Sequence, residues 1–103
     1  MSYRAFIGKI RKGKEEDYVT AHQAVWPELI EAMREAGVER ESCFVAGNYI
    51  FVYVEGADVD TALRKLQNES VNMKWDDFME PLLERPVEGC SHLFPEMTEV
   101  FKM

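Results

Sequence analysis

The sequence predicts an α+β fold, a ferredoxin-like βαββαβ sandwich of the dimeric α/β-barrel type, on three observations. Short runs rich in branched and aromatic residues stand at the start, as a pair in the middle, and at the end of the chain. Two longer segments between them space their apolar residues three and four apart. Proline, glycine and aspartate fall at the junctions, where turns and helix ends need them. The resulting order of strand, helix, two strands, helix and strand is the split βαβ arrangement.

Residues 3–10, YRAFIGKI, form the first expected strand, which ends near Gly13. Residues 14–37 carry helical spacing: Tyr18, His22 and Trp26 recur every four residues, and Leu29, Ile30 and Met33 continue the apolar face. Pro27 has no backbone N–H and clashes inside a helix, which predicts a break near Trp26. Pro27 then suits the first turn of a second helical piece, with Glu28 near its positive end and Gly37 as its stop. Residues 41–46 and 49–55 read as two strands around Gly47-Asn48, a tight hairpin link. Residues 58–68 and 71–83 read as two helical pieces, the first capped by Asp58 and the second weakened at Pro81. After a turn at Pro86 and Gly89, residues 97–103 alternate as a closing strand would. Both helical layers would cover one face of an antiparallel sheet. The other face needs cover, and a two-fold homodimer packing sheet on sheet supplies it most simply.

The chain has 103 residues, enough for one domain spanning 1–103 and too few for two. Its 47% hydrophobic content, with two tryptophans, four tyrosines and six phenylalanines, is enough for a core. A domain this small buries a limited fraction of its surface, so a partner subunit would help it. The 19 acidic residues outnumber the 12 basic ones, and a net charge of −7 repels nucleic acid and anionic membranes. Cys43 and Cys90 stand far apart without CxxC spacing, so neither a zinc site nor a disulfide framework follows. The opening residues lack the apolar run and small-residue cleavage site of a signal peptide, and no segment has the length of a membrane span. A cytoplasmic location is the expectation.

Tyr18 and His22, four apart, should meet on one helix face. Histidine exchanges a proton near neutral pH, and a phenol can orient or relay one. The spacing fits equally an amphipathic helix with a partly buried tyrosine and an incidental histidine. His92, the second histidine, lies beside Pro95 and a turn, where a surface role is the simpler expectation. Two histidines so far apart, without a ligand cluster, do not make a metal site. Cys43, within an apolar strand, reads as core. Trp75-Asp76-Asp77 offers an aromatic face for the apolar side of a sugar and carboxylates for its hydroxyls, or a core tryptophan before solvated acids. Glu41 carries the same ambiguity. No glycine-rich phosphate loop, nucleophile elbow or Cys-His pairing is present, which leaves chemistry that needs proton transfer alone.

The sequence resembles the L-rhamnose mutarotase family, cofactor-free enzymes that interconvert the α and β anomers of a deoxy sugar. The resemblance rests on EEDYVTAHQAVWPELIEAMREAG (15–37), NYIFVYVE (48–55), VNMKWDDFM (71–79) and the ending EVFKM, and covers nearly the whole chain. It implies a ferredoxin-like dimer, a monosaccharide substrate, and no metal or redox cofactor. The family's proton-donating histidine falls on His22 and its sugar-contacting tyrosine on Tyr18. A second sugar-contacting tyrosine aligns with Glu41, and the paired tryptophans align with Trp75 and Asp76, so two aromatic contacts have become carboxylates. The reaction type is thereby kept while the sugar is opened to L-fucose as well as L-rhamnose. His22 is expected to switch between acid and base, with Tyr18 orienting the sugar and Glu41 or Asp76 as the second proton acceptor. The same architecture also hosts cofactor-independent monooxygenases and non-catalytic binding modules.

Overall fold

The computed structural model describes residues 1–103. Strand β1 (Ser2–Ile10) is followed by helices α1 (Glu15–His22) and α2 (Pro27–Ala36), and then by the hairpin of β2 (Val38–Ala46) and β3 (Tyr49–Gly56). Helices α3 (Val59–Gln67) and α4 (Ser70–Met79), a 3-10 turn at Glu80–Leu82 and the short strand β4 (Leu83–Glu84) complete the order. The sheet runs β2-β3-β1-β4, antiparallel throughout. This is the expected ferredoxin-like α+β fold.

The breaks fall where proline and glycine chemistry requires. α1 ends at His22, Trp26 is extended with ψ 129°, and Pro27 begins α2. The residue before a proline is driven out of the helical region, so the chain turns there before the helix resumes. Gly37, at φ 116°, stops α2 in the left-handed conformation that a side chain would resist. Asp58 caps α3 by accepting the Thr61 N–H at 3.1 Å.

Pairing of β1 with β3 sets Phe6 opposite Val52 and Arg4 opposite Val54, which fixes the faces of the sheet. Phe6, Gly8 and Ile10 of β1 and Ile50, Val52 and Val54 of β3 face the helices. Tyr3, Ala5 and Ile7, with Tyr49, Phe51 and Tyr53, face away. In β2 a bulge between Val38 and Arg40 inserts one residue. It reverses the alternation, so that Val38 and then Glu41 and Cys43 all point to the helix side, the last two opposite Val54 and Val52.

The core is divided. Ile10, Tyr18, Leu29, Ile50, Trp75, Met79 and Leu83 form one cluster, and Val38, Val54, Val59 and Ala62 form another. Met33 and Val52 pack against both. Burial of Ile10, Leu29 and Ile50 is essentially complete, and each such side chain stabilises the fold by about 1.5–3 kcal/mol through removal from water.

Residues 97–103 do not form the closing strand that their alternation suggests. β4 is Leu83–Glu84, paired with Lys9 and Ile10. Residues 95–97 run along the outer edge of β1 at Ala5–Ile7, where the Ile7 N–H donates to the Pro95 carbonyl at 3.1 Å and the Met97 N–H to the Ala5 carbonyl at 2.7 Å. Beyond Met97 the backbone ladder with β1 stops, and the Tyr3 hydroxyl donates to Glu99 of the tail instead. Val100 and Phe101 are 92% and 78% exposed. No helix is long and apolar enough to cross a membrane.

Candidate active site

The seam between the two core clusters opens into a cavity of about 540 Å³, within the range of about 300–1,000 Å³ usual for small-molecule sites. Each layer contributes to its lining. α1 supplies Tyr18 and His22, β2 supplies Glu41 and Cys43, and α4 supplies Asn72, Trp75, Asp76 and Met79. Residues 91–94 close one side. All five residues singled out from the sequence, His22, Tyr18, Glu41, Trp75 and Asp76, therefore share one cavity.

The α1 contribution follows from helix geometry, since residues four apart lie one turn above another. The Tyr18 and His22 rings stack with centroids 4.1 Å apart. His22 Nδ1 lies 3.0 Å from the Tyr18 carbonyl oxygen. A carbonyl can only accept, so Nδ1 carries a hydrogen, and in the neutral ring Nε2 keeps its lone pair. Trp75 meets the same imidazole edge-on at 5.3 Å. Trp26, turned by the break before Pro27, packs edge-on against Trp75 at 5.0 Å and stacks on Phe78 at 5.7 Å. The Trp-Pro break thus ties the end of α1 to α4 and buttresses the tryptophan that borders the histidine.

Loss of water around these groups moves their proton affinities. Burial lowers the His22 pKa, against the opposing pull of its bond to Tyr18, and favours the neutral imidazole. Burial raises the Tyr18 hydroxyl far above its ordinary value, with Cys43 and Glu41 adding to the effect. The Cys43 thiol is pushed up to about 12 by burial and by Glu41, so it stays protonated rather than acting as a nucleophile. Glu41 stands open to the cavity but has protein on most sides, and the lost solvent raises its carboxyl. Asp76 is raised by burial and by neighbouring Asp77. A neutral imidazole, an un-ionised phenol and two carboxyls with elevated affinity make up a set suited to moving protons.

Three residues were placed differently from their sequence readings or went unread. Cys43 is a cavity residue rather than core, because the bulge turns it to the helix side and no helix covers it. His92 sits in an exposed loop, as its neighbours suggest, but also lines the cavity. Asn72 was missed, although with Trp75, Asp76 and Met79 it falls at one helical spacing, i, i+3, i+4 and i+7. Its side-chain amide donates to Asp76 at 3.4 Å. The wall at residues 91–94 is seated by Phe94, whose ring occupies the space a Cβ at Gly8 would need, 2.3 Å from where that atom would stand.

Fold and cavity together define a small ferredoxin-like α+β protein with a proton-handling pocket on the helix side of its sheet. The model of the L-rhamnose mutarotase family matches residues 4–103, and the chain belongs to that family. It is therefore an enzyme of the isomerase type, one that interconverts anomers. It is 30% identical to an L-rhamnose mutarotase of Oceanobacillus iheyensis, over 100% of this chain and 99% of the relative. The crystal structure of an L-rhamnose mutarotase from Formosa agariphila superposes with a TM-score of 0.79 at 28% identity, covering 100% of this chain and 99% of that one. A type-II polyketide cyclase from Streptomyces glaucescens shares the fold, with a TM-score of 0.71 at 12% identity over 100% of this chain and 99% of that one.

Proposed function

We propose that this single unit interconverts the α and β anomers of a 6-deoxy-L-hexose, L-rhamnose or L-fucose, by acid–base opening and reclosure of the pyranose ring. The observation that carries the reading is His22: a half-buried imidazole whose Nδ1 is engaged by the Tyr18 carbonyl, leaving Nε2 to exchange a proton in the cavity. Ring opening requires a proton at the ring oxygen and removal of the anomeric hydroxyl proton, and closure on the other face of the aldehyde reverses both transfers. A group that changes role at neutral pH meets this requirement. The Tyr18 hydroxyl, held un-ionised, orients the sugar as a donor, and Trp75 borders it with an aromatic surface. Glu41 and Asp76 accept hydrogen bonds from its hydroxyls. The free cysteines Cys43 and Cys90 suit a reducing cytoplasm.

The working form in this reading is a homodimer joined through the sheet face opposite the helices. Phe44, Tyr49 and Phe51 stand exposed there, and only 14 of 103 residues are buried in the single chain, a small core for independent stability.

Exchange spectroscopy on free L-rhamnose and L-fucose tests the reading, because it reports anomer interconversion directly. Faster exchange of either sugar with catalytic amounts of protein is the expected result. Binding without acceleration would favour a non-catalytic module, and oxygen consumption with an electron-rich aromatic would favour a monooxygenase. Replacing Glu41 with Tyr and Asp76 with Trp together should shift the rate ratio toward L-rhamnose, since a site built on hydrogen bonds discriminates hydroxyl patterns that an apolar wall does not. An unchanged ratio in a folded variant would remove these positions from sugar selection.

A further inference from the structure

We propose that Glu41 is the second proton-transferring residue, working with His22 on the ring oxygen and the anomeric hydroxyl. The proposal rests on the anomer-exchange reading above and names the partner that such chemistry needs.

Three features of the structure single Glu41 out from the other carboxylates. Its position is constructed: without the inserted residue at the start of β2, strand alternation would turn Glu41 to the far face of the sheet. The bulge instead sets it opposite Val54, on the side that lines the cavity. Second, it has no hydrogen-bonding or ionic partner within the protein, which separates it from Asp76; Glu80, at the end of α4, shares this but not the placement by the bulge. Asp76 accepts a bond from Asn72 on its own helix. Lys9 pairs with Glu84, and Arg4 with Asp60 and Glu96, all away from Glu41. A carboxyl in a mostly apolar cavity without a protein partner is available for a substrate hydroxyl. Third, Glu41 comes from the sheet and His22 from the helix layer, so a ring bound in the cavity meets groups from two layers.

The titratable groups that share the cavity are Tyr18 and His22 from α1, Cys43 from β2, Asp76 from α4, Glu80 after it, and His92 from the loop. Tyr18 and Cys43 remain protonated through neutrality. Burial shifts Glu41 upward and His22 downward, which moves their proton affinities toward one another.

With one proton between them the chemistry balances. The protonated member gives its proton to the ring oxygen as the C1–O5 bond breaks. The other takes the proton from the anomeric O1–H, whose electrons form the C1=O1 bond. The pair then holds its one proton on the opposite member. Rotation of the aldehyde and closure return the proton and yield the other anomer, with no net change in the enzyme.

Glu41→Gln keeps the shape of the side chain and removes its proton exchange. The test is the dependence of anomer exchange on sugar concentration and pH, measured by exchange spectroscopy on wild type, Glu41→Gln and Glu41→Ala. Expected for Glu41→Gln is a kcat lower by about 10²-fold or more, with KM little changed. The bell-shaped profile of kcat/KM should lose one limb, and added formate should restore part of the rate to Glu41→Ala. An undiminished kcat would overturn the proposal. So would a raised KM with kcat and both pH limbs preserved, which would make Glu41 a binding residue only. These outcomes leave the mutarotase reading standing as long as wild type exchanges the sugar. A wild-type protein that accelerates neither sugar would overturn both.

Discussion

The two faces of the sheet use the same strands and the same residue types, but only one gathers several groups whose proton affinities are moved chiefly by burial. Toward the helices, β1, β2 and β3 present Phe6, Glu41, Cys43, Val52 and Val54 to the cavity. Away from them they present Tyr3, Phe44, Phe51 and Tyr53, and the tail at residues 96–101 lines a second cavity of about 640 Å³ with Tyr3, Phe51 and Tyr53. Tyrosine shows the contrast best. Tyr18 is raised first by burial, within the cavity. Tyr53 is raised first by donating a hydrogen bond to Glu55 at 2.7 Å, on open surface. Tyr3 likewise donates to Glu99 of the tail. Polar groups on the open face thus shift chiefly through local pairing, whereas those in the cavity shift chiefly through lost water. Burial of the individual side chain, more than the choice of residue, sets its proton affinity.

The sharpest way to break this contrast is His22→Ala. Anomer exchange should fall by roughly 10²- to 10⁴-fold, with circular dichroism unchanged because the imidazole is only half-buried. Wild-type exchange in a folded variant would remove His22 from the reaction. Next, Trp75→Ala and Phe44→Asp set the two faces directly against each other. Trp75 is buried at 9% exposure, and its truncation should cost about 3–5 kcal/mol in urea unfolding and empty the wall beside His22. Phe44, 57% exposed, should leave the stability of the single chain within about 0.5 kcal/mol but shift sedimentation toward monomer. If Phe44→Asp left the mass in solution unchanged, the open face would not be the subunit interface.

Gly8→Ala probes the seam between cavity and loop. The added methyl overlaps the Phe94 ring, so the wall at residues 91–94 must move, at a cost of about 1–3 kcal/mol. KM should rise more than kcat falls, and saturation curves would reveal it. The smallest effect is expected from Asp76→Asn. The folded-state pKa of Asp76 is raised, so its contribution to stability is fully present below the ordinary carboxylate range and is lost as pH rises through the folded value. The variant should therefore melt at a higher temperature than wild type near pH 7, with the difference closing in acid. A lower melting temperature at pH 7 would mean that the bond from Asn72 outweighs the burial cost.

What local physics dictates was legible along the chain. Backbone sterics at Trp26-Pro27 and Gly37, the side-chain cap at Asp58, and helical periodicity act over a few residues, so their consequences can be read without knowing the fold. The Tyr18–His22 pair belongs with these, because a spacing of four puts two rings on one face of any helix. Trp75 and Asp76 were legible as a pair of candidates, though not as neighbours of His22.

The tertiary structure decided the rest, because those outcomes depend on residues distant in sequence. The alternation of residues 97–103 signals a capacity for pairing, but β1 pairs instead with Leu83–Glu84 and residues 95–97, and the ladder stops at Met97. His92 reached the cavity only because Phe94 seats its loop over Gly8. Glu41 is the clearest case: its residue type is visible in the sequence, but which face of the sheet it occupies turns on one inserted residue at the start of β2. A strand's faces alternate with a period of two, so a single bulge exchanges inside for outside, and only the pairing with β3 records that it occurred.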